Sequence, residues 1–331
     1  MTDWQGCNVL VTGSEGFIGS HLVEALIDRG ANVRAHVLYN SFNSWGWLDS
    51  LEPQKQQKLD VFMGDVTNPY RTAEAVEGMD VVLHLAALIG IPYSYHAPEA
   101  YVATNVSGTL NVLQAARRYG ASKVVVTSTS EVYGSALRVP IDEDHPLQGQ
   151  SPYSASKIGA DMIAASFAMS FEMPVAICRP FNTYGPRQSN RAVIPTIIAQ
   201  LLDGAAELHL GNLETTRDFN YVKDTAEGFI ALAESEASNG EAINLATGED
   251  ISIGDLAKML MEITGQSAEI VTDTQRVRPA RSEVQRLLGD ATKARKLLGW
   301  APRHDLRTGL AETVEWMKRN RHRYKAHQYV V

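Results

Sequence analysis

Residues 7–12, CNVLVT, read as a buried strand, and Gly13, Gly16 and Gly19 follow it at once. The stretch after them, SHLVEALIDRG, has apolar positions at helical spacing and ends on Gly30. No other feature restricts the fold as much. A buried strand that turns through glycines into a helix is the opening of a parallel βαβ unit. Glycines let the turn close tightly, and the helix N-terminus offers free N–H groups to a pyrophosphate. The spacing G-x-x-G-x-x-G is one residue longer than the common G-x-G-x-x-G, so its position, more than its pattern, predicts a dinucleotide site. Gly13, Gly16, Phe17, Ile18 and Gly19 are its expected members.

The alternation continues. ANVRAHVLYN (31–40) reads as a second strand, but Val37, Leu38, Tyr39 and Asn40 at its end include no Asp or Glu for the adenosine ribose. No Arg follows directly either, so these residues leave the cofactor's phosphate state open; NAD is the cofactor expected, with NADP open. The aromatic loop SFNSWGWL (41–48) is either packing or a cover over the adenosine. A third strand ends at Gly64-Asp65-Val66, where Asp65 could bond an adenine amine. A fourth, MDVVLHLAAL, ends in His84-Leu85-Ala86-Ala87. Leu85, Ala86 and Ala87 are small or apolar enough for a cofactor to pass, and His84 reads as a satisfied core histidine. Asn105 and Thr109 share a face of the next helix. A fifth strand, SKVVVTSTSEVYG, ends in the hydroxyl-rich tip Thr127–Glu131, where parallel sheets bind ligands. PVAICRP then supplies a sixth strand. The expected architecture is α/β, a Rossmann-like doubly wound parallel sheet (1–180) followed by a smaller substrate-binding α/β domain (181–331).

Before the sixth strand, SPYSASK opens a helical run in which Tyr153 and Lys157 are four residues apart, hence on one face. A phenol beside an ammonium is one way to make a base near neutral pH. The 331 residues are 44% apolar and 21% charged, with net charge −8, which argues against a basic nucleic-acid surface. The basic run KRNRHRYK follows the helical LAETVEWM and reads as cations at a helix C-terminus. Without a signal segment or a run of about 18 apolar residues, a cytoplasmic protein with no membrane span is expected. Cys7 and Cys178 then read as reduced structural thiols, and the nine His residues show no metal-ligand spacing, so no metal is expected.

TGSEGFIG, HLAA, STSEVYG, SPYSASK and RPFNTYGP occur in that order, and over nearly its whole length the chain resembles the extended short-chain dehydrogenase/reductases. These are nucleotide-sugar epimerases, dehydratases and decarboxylases. NSWGWL, STSEVYG and HPLQGQSPYSASKIGAD are similar to the bacterial 4,6-dehydratases of amino-sugar pathways, the legionaminic acid group, which act on nucleotide-linked N-acetylglucosamine. The resemblance implies Tyr153 as the base at the sugar 4-hydroxyl and Lys157 as the nicotinamide-ribose contact that lowers the Tyr pKa. It implies Thr129 on the 4-hydroxyl, Asp65-Val66 at the adenine and Asn105 among the cofactor contacts. Asn182 would hold the nucleotide-sugar phosphates, and Arg217 and Arg278 would clamp the diphosphate, as paired guanidiniums do well. Glu131 is the implied base at C5.

One departure stands out. Dehydratases of this kind commonly carry Thr-Asp-Glu at the fifth strand tip, the Asp serving as acid at C6; here the triplet is Thr129-Ser130-Glu131. Either Glu131 makes both proton transfers or water acts through Ser130. Thr-Ser-Glu also occurs in UDP-glucuronate decarboxylases, but their Arg three residues before the Tyr is here Gln150. A dehydratase acting on UDP- or GDP-N-acetylglucosamine is the leading expectation, with a 4-epimerase or decarboxylase as the alternative. A non-catalytic sensor fits poorly with a retained Tyr/Lys pair. The family also implies a homodimer formed by SGTLNVLQAARRYG and KIGADMIAASFAMSF.

Overall fold

A computed structural model describes residues 4–276, 279 and 281–325. Six strands expected from the sequence are present: β1 Asn8–Thr12, β2 Asn32–Val37, β3 Asp60–Met63, β4 Val81–His84, β5 Lys123–Thr127 and β6 Val175–Pro180. They pair in parallel in the order β6-β5-β4-β1-β2-β3. The order reverses between β1 and β4, and a crevice opens at such a reversal. Helices cover both faces, so β1, β4 and β5 read as continuous apolar runs: Val9, Leu10, Val11, Val82 and Leu83 are wholly buried.

Beyond Pro180 the strands shorten to β7 Asn182–Tyr184, β8 Glu207–Leu210, β9 Thr216–Arg217 and β10 Phe219–Tyr221. The chain then returns. β11, Ala242–Leu245, joins the main sheet as a seventh parallel strand beside β6, with Ile243 opposite Cys178. The helix Val222–Glu234 lays Phe229, Ile230 and Ala233 into the same core as Leu22 and Leu26 of the glycine-turn helix, Phe17–Asp28. Residues 222–245 therefore belong to the sheet unit, across the expected division at 180. A second core, built from Ile197, Leu208, Leu256, Leu310 and Val314, sits under the remaining segments.

The helix Pro152–Phe171 is fixed at its start by reciprocal caps. Ser154 N donates to Ser151 Oγ (3.1 Å), and Ser151 N donates to Ser154 Oγ (3.0 Å). Pro152 needs no N–H partner at the first position. This start places Tyr153 and Lys157 under the tips of β4 and β5.

The glycine turn tolerates no side chain at its closing residue. A Cβ on Gly19 would lie 2.2 Å from Gly13 O, whereas one on Gly120, a helix terminus at φ +71°, meets nothing within 4 Å. Gly19→Ala should therefore cost about 3 kcal/mol or more through overpacking. Gly120→Ala should cost about 1 kcal/mol through its left-handed backbone alone. Urea unfolding midpoints of the two variants check this, and equal losses would contradict it.

Candidate active site

The turn after β1 lies against the tip of β4. Gly13 has φ +68°, and a Cβ there would stand 2.8 Å from Ala86 N and 3.0 Å from Leu85 C. A Cβ on Gly16, which caps the glycine-turn helix, would stand 3.2 Å from Gly13 O. Bare backbone thus lines this crevice, with a helix N-terminus facing it. A dinucleotide pyrophosphate fits such a cradle, which a methyl group would fill. Phe17 and Ile18 begin the helix, and Phe17 meets the His21 ring edge-on at 6.1 Å.

Thr12, the last residue of β1, organises the crevice. Leu85 N and Ala86 N both donate to its Oγ1 (3.0 Å each), which leaves its own proton for His84 Nδ1 at 2.8 Å. His84 must then carry its proton on Nε2, which donates to Thr109 Oγ1 (3.1 Å), and Thr109 donates on to Asn105 O (2.6 Å). A second ring proton would confront an oxygen with no acceptor capacity left. Burial pushes His84 down to about 3 in the same direction, so it is a neutral structural relay, as its apolar strand suggests. Asn105 sits in a widened helical turn, Val102–Ser107. Its side chain brackets Leu88, accepting from Leu88 N and donating to Leu88 O (2.9 Å each), and it donates to Ser156 Oγ of the Tyr153 helix (2.9 Å). Its amide is therefore committed to positioning the β4 tip. Asp65 accepts from Thr67 N (2.8 Å), and Val66 is buried beneath Gly108, where a Cβ would lie 2.8 Å from Val66 Cγ2.

At the tip of β5, Thr129 accepts from Glu131 N at 3.2 Å and shares a hydrogen bond with the Tyr153 phenol. Tyr153 is buried with the Tyr101 ring edge-on at 6.2 Å. Burial holds its phenol above the ordinary tyrosine value; the Thr129 bond opposes this, and the facing Glu131 charge adds to it. Lys157, also buried, donates to Thr127 O, and burial brings its amine down to about 8 while Asp161 pulls it up. The lowering of the phenol expected from the Tyr/Lys spacing is therefore outweighed here by desolvation. Ser130 is only 3% exposed and lies behind this surface, whereas Glu131 is half-exposed on it.

Beneath these residues lies a polar network that the motifs did not announce. Asp161, wholly buried one turn past Lys157, accepts from Ser128 Oγ (2.9 Å) and from Arg179 Nε and Nη2 (3.1 Å each). Arg179 also donates to Tyr133 OH (3.0 Å), and Tyr133 donates to Asn244 Oδ1 of β11 (2.7 Å). The helical spacing Tyr153, Lys157, Asp161 was the available signal for it.

Across the crevice from the glycine turn opens a cavity of about 490 Å³. Asn182 and Arg217 line it, together with Arg191, Gln188 and Arg276. Asn182 Oδ1 is buried with no hydrogen-bond partner among the described residues. Arg217 donates to Thr216 O (2.9 Å) and Glu283 Oε1 (3.3 Å) at the cavity wall. Arg278, the second expected clamp, lies outside the described residues. Among the described residues no group of ligands could hold a metal, and no helix is long and apolar enough to cross a membrane.

Burying Lys157 has a pH signature. Its amine holds a proton less tightly folded (about 8) than unfolded (10.5), so between these values the unfolded chain binds more protons and stability rises with pH. Below pH 8 the penalty is complete, on the order of 3 kcal/mol. Lys157→Met should therefore be the more stable protein at pH 7, with the gap narrowing towards pH 10. Denaturant titrations at pH 7, 8.5 and 10 test this, and a gap independent of pH would refute it.

Known proteins are similar to this chain over most of its length. The GDP-mannose 4,6 dehydratase family matches residues 10–313. The dTDP-glucose 4,6-dehydratase of an Actinoplanes species is 33% identical over 318 residues, covering 95% of this chain and 98% of that protein. The UDP-N-acetyl-alpha-D-glucosaminuronate decarboxylase of Bacillus cytotoxicus is 33% identical over 319 residues, covering 93% and 97%. Among solved structures, the dTDP-glucose 4,6-dehydratase DesIV from Streptomyces venezuelae, with NAD bound, superposes with a TM-score of 0.83 at 29% identity, covering 95% of this chain and 98% of that one. With the match spanning nearly the whole chain, sheet, glycine turn and Tyr/Lys helix included, this chain belongs to the NAD-dependent epimerase/dehydratase family of extended short-chain dehydrogenase/reductases.

Proposed function

We propose that this protein is a 4,6-dehydratase acting on N-acetylglucosamine linked to UDP or GDP. The observation that carries the reading is the Glu131 carboxylate within electrostatic reach of the Tyr153 phenol at the β5 tip. The nucleoside diphosphate would occupy the cavity lined by Asn182 and Arg217, whose buried amide oxygen and guanidinium suit a ribose and a diphosphate.

NAD, when bound, supplies the hydride acceptor and a positive ring that favours a phenolate. Tyr153 takes the 4-hydroxyl proton as C4 becomes a ketone, Thr129 orients that hydroxyl, and the Lys157 ammonium stabilises the ionised phenol. The ketone acidifies C5. Glu131 removes the C5 proton and passes it to the C6 hydroxyl, which departs as water; return of the hydride to C6 and of a solvent-exchanged proton to C5, matching the one Tyr153 took, would complete a 4-keto-6-deoxy sugar. Ser130 is buried away from solvent, which disfavours a water relay through it and leaves both transfers to Glu131. Gln150 accepts from Ser135 N (3.1 Å) and donates to Ser135 Oγ (3.1 Å), so it anchors the loop and does not supply the cation that a sugar carboxylate would need. A 4-epimerase would use the same Tyr153 step and stop at C4.

We also propose a homodimer through the helices Gly108–Tyr119 and Pro152–Phe171. The second leaves Met162 (51%), Met169 (78%) and Phe171 (43%) exposed, an apolar strip suited to a second copy.

Incubation with UDP- and GDP-N-acetylglucosamine tests the reaction. A 4-keto-6-deoxy product absorbs in alkali; an epimer or an unchanged substrate would refute dehydration. Tyr153→Phe should abolish turnover and retain dinucleotide binding, and retained turnover would remove Tyr153 from the mechanism. In deuterium oxide, Glu131→Gln should block label entry at C5; entry at the normal rate would assign the proton to another base.

A further inference from the structure

The second strand ends without the acidic residue that reads an adenosine ribose in NAD enzymes. A carboxylate nevertheless stands at that place. Glu15, from the glycine turn, reaches over the end of β2, and its Oε1 accepts from Leu38 N at 2.9 Å, one residue beyond the last residue of the strand. The turn is held there by two further contacts: Ser14 Oγ donates to His36 O (2.9 Å), and Trp47 N donates to Glu15 O (3.0 Å). Glu15 Oε2 is buried and has no hydrogen-bond partner among the described residues. A desolvated carboxylate oxygen without a donor is costly, and a vicinal diol brings two donors. We propose that Glu15 is the residue that selects NAD over NADP, by accepting from the adenosine ribose hydroxyls where a 2′-phosphate would be repelled. The proposal rests on the dinucleotide reading of this crevice.

The surroundings agree. Among the described residues, the two arginines near the end of β2 are engaged elsewhere. Arg34 is bound to Asp60 (2.6 Å) and to Ala75 O and Glu77 O. Arg71 is bound to Glu74 and to Met63 O (2.7 Å), with its guanidinium over the Phe62 ring at 4.0 Å. His36 is buried and pushed down to about 4, mainly by desolvation, so it is neutral at physiological pH. Burial also raises the Glu15 carboxyl, a penalty that donors on a bound ribose would offset. The loop over the turn enforces the arrangement, since a Cβ on Gly46 would lie 2.6 Å from Glu15 O.

The test is direct binding to the full chain, followed calorimetrically, with NAD, NADP and 2′-deoxy-NAD as probes. Wild type should bind NAD at least ~100-fold more tightly than NADP, as expected for like charges brought together, and should lose about tenfold on 2′-deoxy-NAD, one charge-assisted hydrogen bond. Glu15→Gln keeps an oxygen for Leu38 N and removes the charge, so the NAD/NADP ratio should fall to within about tenfold and the 2′-deoxy penalty should shrink. Glu15→Ala should show the same collapse. A variant that binds NAD with the wild-type ratio and the wild-type 2′-deoxy penalty overturns the Glu15 assignment alone. Failure of wild type to bind either dinucleotide overturns the cofactor reading together with it.

Discussion

Three pieces of backbone approach one another at the head of the sheet because nothing stands between them. Gly13 lies against Ala86, and Gly19 lies under Gly13 O at a separation that excludes even a methyl group. That contact aligns the tips of β1 and β4, and the Thr12 hydroxyl locks it by serving two N–H groups and His84 at once. The crevice, the neutral histidine and the Asn105 bracket around Leu88 are consequences of this alignment. Only a residue without a side chain permits it, so the sequence signal is strong and local.

The catalytic helix is secured by different means. A buried carboxylate, guanidinium, phenol and amide run from Ser128 through Asp161, Arg179 and Tyr133 to Asn244, tying the β5 tip, the helix, β6 and β11 together. Such a chain contributes little net stability, since desolvation offsets most of its attraction. It does specify geometry: each member has a directional partner, so the β5 tip and the Tyr153 face cannot slide past each other. The same burial that gives this precision lifts the Tyr153 phenol and depresses the Lys157 amine.

Much of this was legible because short motifs coincide with strand ends. The run CNVLVTG, the tip HLAA and the capped SPYSASK each place backbone and chemistry together within a few residues, and the parallel order of the first six strands follows. What escaped depends on long-range contact. The four residues Ala242–Leu245 carry no mark of the sheet they join, since their neighbour β6 lies some sixty residues earlier. Asn105 was expected among the cofactor contacts, and the sequence did not show that its amide would bond both backbone groups of Leu88. Glu15 escaped for a related reason. The ribose acid was sought on β2, where chain order puts it, while the turn delivers a carboxylate to the same spot from the other side.

The late arrival of β11 bears on biogenesis. β6 is buried along its whole length, and its outer edge is paired with β11 and with Gly240 and Glu241 just before it. During synthesis, residues 175–180 emerge well before residues 242–245, so the nascent chain carries an apolar strand with a bare edge while the intervening segment is translated. An edge of that kind is a template for pairing with a neighbouring polypeptide on the same message. The returning segment 222–245 thus shields the edge of β6 from aggregation, and a chain ended after β6 would keep that template open.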